Sequence, residues 1–286
     1  MTLNDHQQQL FSLLSGVYEP REAANIADWV MENVTGWKKI DRVVNKHIDL
    51  SATQIKKLEQ VSADLLKHRP IQYALGEAWF YGMKFYVDES VLIPRPETEE
   101  LVEWVVNDFQ NKQQEGFSIL DIGSGSGCIP IAIKKNLAWA EVKSCDVSDA
   151  ALHVARQNAA TLNADVQFRQ IDFLMEENWQ QLGMVDVVVS NPPYIPNEEI
   201  AEMEKHVVDF EPHLALFVEN ENPLIFYKAI ADFSAQYLKT KGAVYMETHM
   251  ALANEVAALF TNELFEAVEV RKDLQGKDRM VKAIRK

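Results

Sequence analysis

Thiols are scarce in this chain: its 286 residues include two cysteines, Cys128 and Cys145. So few exclude a disulfide framework, and their separation is not that of a metal-binding cluster. A reducing cytosol is the expected setting. Uninterrupted apolar runs of membrane-spanning length are missing, so no membrane segment is expected. The segment from Met1 to Leu10 is polar and rich in Gln, and without an apolar stretch no secretory leader is expected. Positive charge is also in short supply. The net charge is −15, and it is unevenly placed: residues 1–85 carry 10 basic and 10 acidic groups, residues 86–286 carry 18 and 33. A protein that grips nucleic acid through its phosphates needs a basic surface. The balance argues against extended DNA or RNA binding and favours a small-molecule or protein substrate. His206, His213 and His249 are scattered without ligand spacing, so no metal is expected.

The chain reads as two regions joined by a connector. Ala24, Ala27, Val30, Met31 and Val34 recur at helical spacing. Ser51 and Gln54 form a capping-box pattern that starts a helix running to about His68, with Pro70 beyond it. No strand pattern appears before Ile71, so residues 1–70 are predicted to be a small helical bundle. Residues 71–96 carry aromatic and Gly punctuation that suggests a hairpin linker, with Pro94 and Pro96 holding its end extended. A helix is predicted to start near Glu97.

From Phe117 onward strands alternate with helices. Strands are predicted at 118–122, 140–147, 166–171, 185–190, 243–247, 267–270 and 280–284. Helices are predicted at 128–137, 149–162, with Asp149 as cap, 222–238 and 251–260. The fold class is therefore α/β, a doubly wound seven-stranded Rossmann-like sheet with helices on both faces, preceded by a small N-terminal helical domain. The short link between the last two strands points to an antiparallel pair near the end.

Candidate site residues gather at the ends of predicted strands, where open α/β sheets bind ligands. After the first strand comes Asp121-Ile122-Gly123-Ser124-Gly125-Ser126-Gly127. Its glycines permit a tight turn and close backbone approach, and the helix beyond offers free N–H groups. No Lys-Ser or Lys-Thr follows, which excludes a phosphate-binding P-loop. Asp146 ends the second strand, where an acid accepts hydrogen bonds from ribose hydroxyls. Asp172 and Phe173 end the third; the carboxylate could accept from an adenine amine, and the ring could pack on the base or simply belong to the core. After the fourth strand comes Asn191-Pro192-Pro193-Tyr194. An Asn side-chain carbonyl, Pro backbone carbonyls without a competing N–H, and a flat Tyr face can hold a planar NH₂ group. Alone, the tetrapeptide could equally be a Pro-rich turn.

Together these segments resemble the class I S-adenosylmethionine methyltransferases. In that class the Gly-rich loop, Gly123 to Gly127, holds the cofactor's methionine end, and N-P-P-Y marks enzymes acting on nitrogen conjugated to a π system. Residues 91–99 (Val-Leu-Ile-Pro-Arg-Pro-Glu-Thr-Glu), 70–76, Phe80-Tyr81-Gly82 and Phe210-Glu211-Pro212 are similar to the protein-(glutamine-N5) methyltransferases. That resemblance implies methylation of the glutamine in the GGQ loop of peptide-chain release factors. It implies residues 1–70 for docking, 71–96 as linker and 97–286 as catalytic domain. The catalytic candidates are Asn191, Pro192 and Tyr194; Asn191 to Tyr194 bind substrate; and Gly123 to Gly127, Asp146, Asp172, Phe173 and Asn191 bind cofactor. A nucleic-acid amine methyltransferase and a non-catalytic release-factor-binding module are the alternatives. A cytoplasmic monomer is expected, since no heptad or long amphipathic seam stands out. Arg95 and Glu97 could line the pocket or pair structurally, Glu247 could cap a helix, and Tyr245 reads as core.

Overall fold

The computed structural model describes residues 1–261 and 263–286. They form two compact units, residues 1–77 and 78–286.

The first unit is helical: α1 (Leu3–Leu14), α2 (Pro20–Thr35), α3 (Lys39–Val44), α4 (Ala52–Leu65) and α5 (Ile71–Leu75). Pro20 opens α2, where its missing N–H is no loss, and Gly36 ends it at φ +71°. α4 has both bonds of the Ser51–Gln54 capping box, but it stops at Leu65 because His68 turns the chain at φ +61°. The polar start of the chain hid α1. Its signals are Leu3, Leu10 and Leu14 on one buried face and a Thr2–Asp5 capping box. These leucines pack with Ala27, Val30 and Met31 of α2 and Leu58 and Val61 of α4. α3 brings the buried Arg42 to pair with Asp28 and to donate to the Trp37 carbonyl at 2.7 Å.

The second unit opens with a hairpin, β1 (Ala78–Phe80) and β2 (Met83–Phe85), turned by Tyr81 and Gly82 at positive φ. Next comes α6 (Pro96–Phe109), again with Pro at its first position. The central sheet contains β3 (Ser118–Ile122), β4 (Glu141–Asp146), β5 (Val166–Gln170), β6 (Val185–Ser190), β9 (Leu238–Glu247), β10 (Phe265–Lys272) and β11 (Asp278–Arg285). Two further short strands, β7 (Ile195–Pro196) and β8 (Phe217–Val218), pair apart from it. The seven strands lie in the order β10-β11-β9-β6-β3-β4-β5. The five from β9 to β5 run parallel; β11 enters antiparallel between β9 and β10.

Alternation along each strand divides the core in two. Ile119, Val187, Val189 and Tyr245 face α6 and α7 (Cys128–Asn136). Leu120, Val188, Val244 and Met246 face α11 (Ile225–Tyr237) and α12 (Ala253–Ala258). The predicted helix at 222–238 starts later because Pro223 and the turn at Asn222 precede it. The strand predicted from 243 begins at Leu238. Its first half is polar and bulged, and a Cβ on Gly242 would come within 2.7 Å of the Asp186 and Lys239 carbonyls. The cap of α8 (Asp149–Thr161) is Ser148 rather than Asp149: the Ser148 hydroxyl accepts from Ala151 N–H, and Asp149 is the first helical residue.

The chain leaves β3 outward through β4 and β5, then returns to the other flank of β3 as β6. The C-terminal ends of β3 and β6, in register at Ile122 and Ser190, thus open a crevice where strand order reverses.

Candidate active site

That crevice is a cleft of about 280 Å³. On one side lies the glycine loop that follows β3. Gly123 and Gly125 hold φ of +87° and +49°, and a Cβ on either would meet open space. They line the cleft together with Ser124 and Ser126. The loop is pinned from beneath: Gly123 and Ser124 donate to the Cys145 carbonyl at 2.9 and 3.1 Å. Below it, Ser144 donates to Asp121 at 2.5 Å and meets Ser124 Oγ at 2.5 Å. Burial pushes the Asp121 carboxyl well above the usual range.

Gly127 is the one loop glycine outside the lining. A Cβ there would come within 3.0 Å of Ile131 Cδ1 and 3.1 Å of Ala155 Cβ, at φ +80°. It lets α7 and α8 pack closely. Gly127→Ala should cost about 1–3 kcal/mol of stability by overpacking, read by chemical denaturation.

Asp146, Asp172 and Phe173 all line the cleft. Asp146 Oδ2 accepts from Gly125 N–H and Oδ1 from Ser148 N–H, both at 2.9 Å. Burial raises its carboxyl, against the pull of those N–H groups. Asp172 Oδ1 accepts from Leu174 N–H at 3.0 Å. Phe173 is both wall and core, with its ring centroid 5.6 Å from Trp179 and 5.4 Å from Phe233.

Across the cleft, Asn191, Pro192 and Pro193 line it after β6. Asn191 Nδ2 donates to Thr98 Oγ1 at 3.1 Å, which leaves Oδ1 as the acceptor that side chain offers. Thr98, the third residue of α6, donates to Glu247 Oε2 at 2.7 Å. Glu247 is 1% exposed, and burial pushes its carboxyl up to about 7. It therefore joins this chain of bonds and caps no helix. Tyr194 is not brought into the lining. It lies beside Glu247, with its ring 6.0 Å from that of His249, and burial raises its hydroxyl.

Sequence reasoning assigned no role to Thr98 and left Glu211 within a similar loop motif. Glu211 is 3% exposed; it accepts from Ile93 N–H at 3.2 Å and pairs with Arg95 at 2.5 Å. It thereby holds the junction between two short helices, α9 (Lys205–Phe210) and α10 (His213–Leu216), the second of which carries the cleft-lining Leu214 and Ala215. Among the described residues no group of three or more His, Cys, Asp or Glu is placed to hold a metal, and no helix is long and apolar enough to cross a membrane.

The donor set suits an adenosyl amino acid. Two glycines leave space for close backbone approach, an acid ends β4 for hydroxyls, and an aromatic wall follows β5. The sheet order, with its last strand inserted antiparallel, and this loop at the switch point define a class I S-adenosylmethionine-dependent methyltransferase.

Comparison with known proteins agrees. The family models described as methyltransferase small domain and PrmC N-terminal domain match residues 101–209 and 6–76. A release factor glutamine methyltransferase of Flavobacterium psychrophilum is 38% identical over 99% of this chain and 99% of its own length. One from Bacteroides thetaiotaomicron is 40% identical over 95% of this chain and 96% of its own. A methyltransferase structure from Pyrococcus furiosus shares the fold at 17% identity, with a TM-score of 0.50 over 78% of this chain and 96% of its own. The chain belongs to the release factor glutamine methyltransferase family.

Proposed function

We propose that this protein transfers a methyl group from S-adenosylmethionine to the side-chain amide nitrogen of the glutamine in the GGQ motif of peptide-chain release factors, in the cytoplasm. The observation that carries this reading is the placement of Asn191 and Pro192 in one cleft with the glycine loop and Asp146. The names of the relatives supply the substrate class.

The chain's own residues divide the work. Asp146 accepts from vicinal hydroxyls. The loop at Gly123 to Gly125, whose own N–H groups are spent on Cys145 and Asp146, gives the amino-acid end close backbone approach. Asp172 and Phe173 flank the base. When bound, S-adenosylmethionine supplies an electrophilic methyl group on a sulfonium. An amide nitrogen is a weak nucleophile because its lone pair is delocalised. Asn191 Oδ1 and the Pro192 carbonyl accept from its two hydrogens, fixing the nitrogen and raising its electron density. Orientation of this kind lowers barriers by up to about 7–11 kcal/mol. These acceptors need not be strong bases, because an alkylated amide sheds its proton readily to water. Tyr194, beside Glu247, backs this edge of the site.

Residues 1–70 serve as the docking domain, 71–96 as linker and 97–286 as the catalytic domain, acting as a monomer. The acidic balance of residues 86–286 speaks against a nucleic-acid substrate. Mass spectrometry of a purified release factor after incubation with the protein and S-adenosylmethionine tests the reading. One added methyl on the GGQ glutamine is the expected result. Transfer to RNA or DNA instead, with none to release factor, would replace the substrate class.

A further inference from the structure

We propose that Thr98 and Glu247 are positioning residues that fix which way round the Asn191 carboxamide stands, so that its oxygen rather than its nitrogen is offered in the cleft. The task given to that oxygen rests on the function proposed above; the geometry does not.

An asparagine amide is nearly symmetric in shape, but its two ends are chemical opposites. A reversed Asn191 would turn its own NH₂ group toward the NH₂ of the substrate, donor against donor. Shape alone does not prevent that reversal. Proton counting does. An ionised Glu247 has no hydrogen to give, so the bond at 2.7 Å must use the single hydrogen of the Thr98 hydroxyl. The Thr98 oxygen is then an acceptor only. Its partner at 3.1 Å must be a donor, and on Asn191 that means Nδ2. The residues are separated by 93 and 149 positions in the chain, yet three segments bring them together. Thr98 is held in the first turn of α6, where its N–H donates to the Arg95 carbonyl at 3.1 Å. Asn191 follows β6 and Glu247 ends β9, strands in register at Ser190 and Met246. Thr98 is 2% exposed, so water has little access to substitute for its hydroxyl.

The arrangement carries a pH dependence. The groups facing Glu247 are Thr98 and Glu97 from α6, Arg279 from β11, and Tyr194 from the loop after β6; Tyr227 from α11 donates to its backbone carbonyl at 3.2 Å. Burial outweighs the hydrogen bonds from Thr98 and Tyr194 and the Arg279 charge, and pushes the carboxyl up to about 7. Once protonated, Glu247 brings its own hydrogen, Thr98 is released from donating, and both orientations of Asn191 become permissible. Turnover should therefore rise with pH through about 7.

Two readouts test this, one of them independent of the substrate. In ¹⁵N-labelled full-length protein, the Asn191 side-chain amide is identified by its loss in Asn191→Ala. It should shift with a midpoint near the Glu247 value in the native protein and stay still in Thr98→Val. With release factor as substrate, Thr98→Val and Glu247→Gln should each lower kcat about tenfold, the scale of one net hydrogen bond. KM for release factor and affinity for S-adenosylmethionine should hold within about twofold, because the bond orients Asn191 without adding a contact to either ligand. Thr98→Ser should restore kcat, and the low-pH limb should vanish in Thr98→Val. A Thr98→Val protein with native kcat and the native pH profile, or an Asn191 amide that titrates regardless of Thr98, overturns the proposal. If the native protein leaves release factors unmethylated while the Asn191 amide still titrates in a Thr98-dependent way, the positioning role stands and the functional reading falls.

Discussion

Asn191→Ala is expected to lower turnover on release factor by about 10²–10³-fold, the loss seen when one preorganised polar contact to a reacting group is removed. The affinity for S-adenosylmethionine should change far less. The asymmetry follows from the partners of Asn191. Its nitrogen is committed to Thr98, and its oxygen is the acceptor that the side chain still has to offer. Single-turnover methylation and calorimetric titration of the cofactor, run on the same preparation, separate the two effects. An equal loss of both would mean that Asn191 serves the cofactor and leaves the amide to Pro192.

Asp146→Ala should do the converse. Each Asp146 oxygen takes one backbone N–H, at 2.9 Å, and keeps a lone pair for a hydroxyl. A hydrogen bond to a charged group is worth about 1.5–3 kcal/mol, so losing two weakens cofactor binding by about 100-fold or more. At saturating S-adenosylmethionine, kcat should recover much of its native value. Asp146→Asn, which retains one accepting oxygen and nearly the same shape, should fall between. Because burial raises the Asp146 carboxyl, native affinity should begin to fail at a higher pH than an ordinary aspartate would dictate. Titration at two pH values checks this. A variant with native affinity at both would remove Asp146 from the binding set.

Much of this was legible from the sequence, for a definite reason. β3 and β6 are covered on both faces, so apart from Asp121, Asp186 and a terminal serine in each they read as apolar runs. Motifs that directly follow such runs are placed as soon as the strands are. The polar start of β9, Lys239 to Lys241, gave no such signal, and the register shift between Leu238 and Ala243 broke the alternation that would have revealed it. α1 was hidden because its buried leucines are spread among glutamines. Within the site, contiguous motifs were found and long-range bonds were not. The Thr98–Glu247 contact joins residues 149 positions apart, and no local pattern announces it. Gly127 and Tyr194 show the opposite limit. Each belongs to a recognisable motif, yet packing sets one between two helices and the other beside Glu247, and neither is among the residues that line the cleft.

The place of β11 in the sheet has a consequence for biosynthesis. It follows β10 in the chain, but it lies between β9 and β10, which have no ladder with each other. A nascent chain that has exposed β10 therefore has nowhere to dock it. The edge of β9 stays unpaired until residues 278–285 emerge. Protease resistance of stalled nascent chains should accordingly appear in one late step, only when those residues clear the exit tunnel. Gradual protection beginning with β10 would show that some other pairing forms first. By this account, the sheet closes only once the strand that comes last of the seven in chain order has emerged.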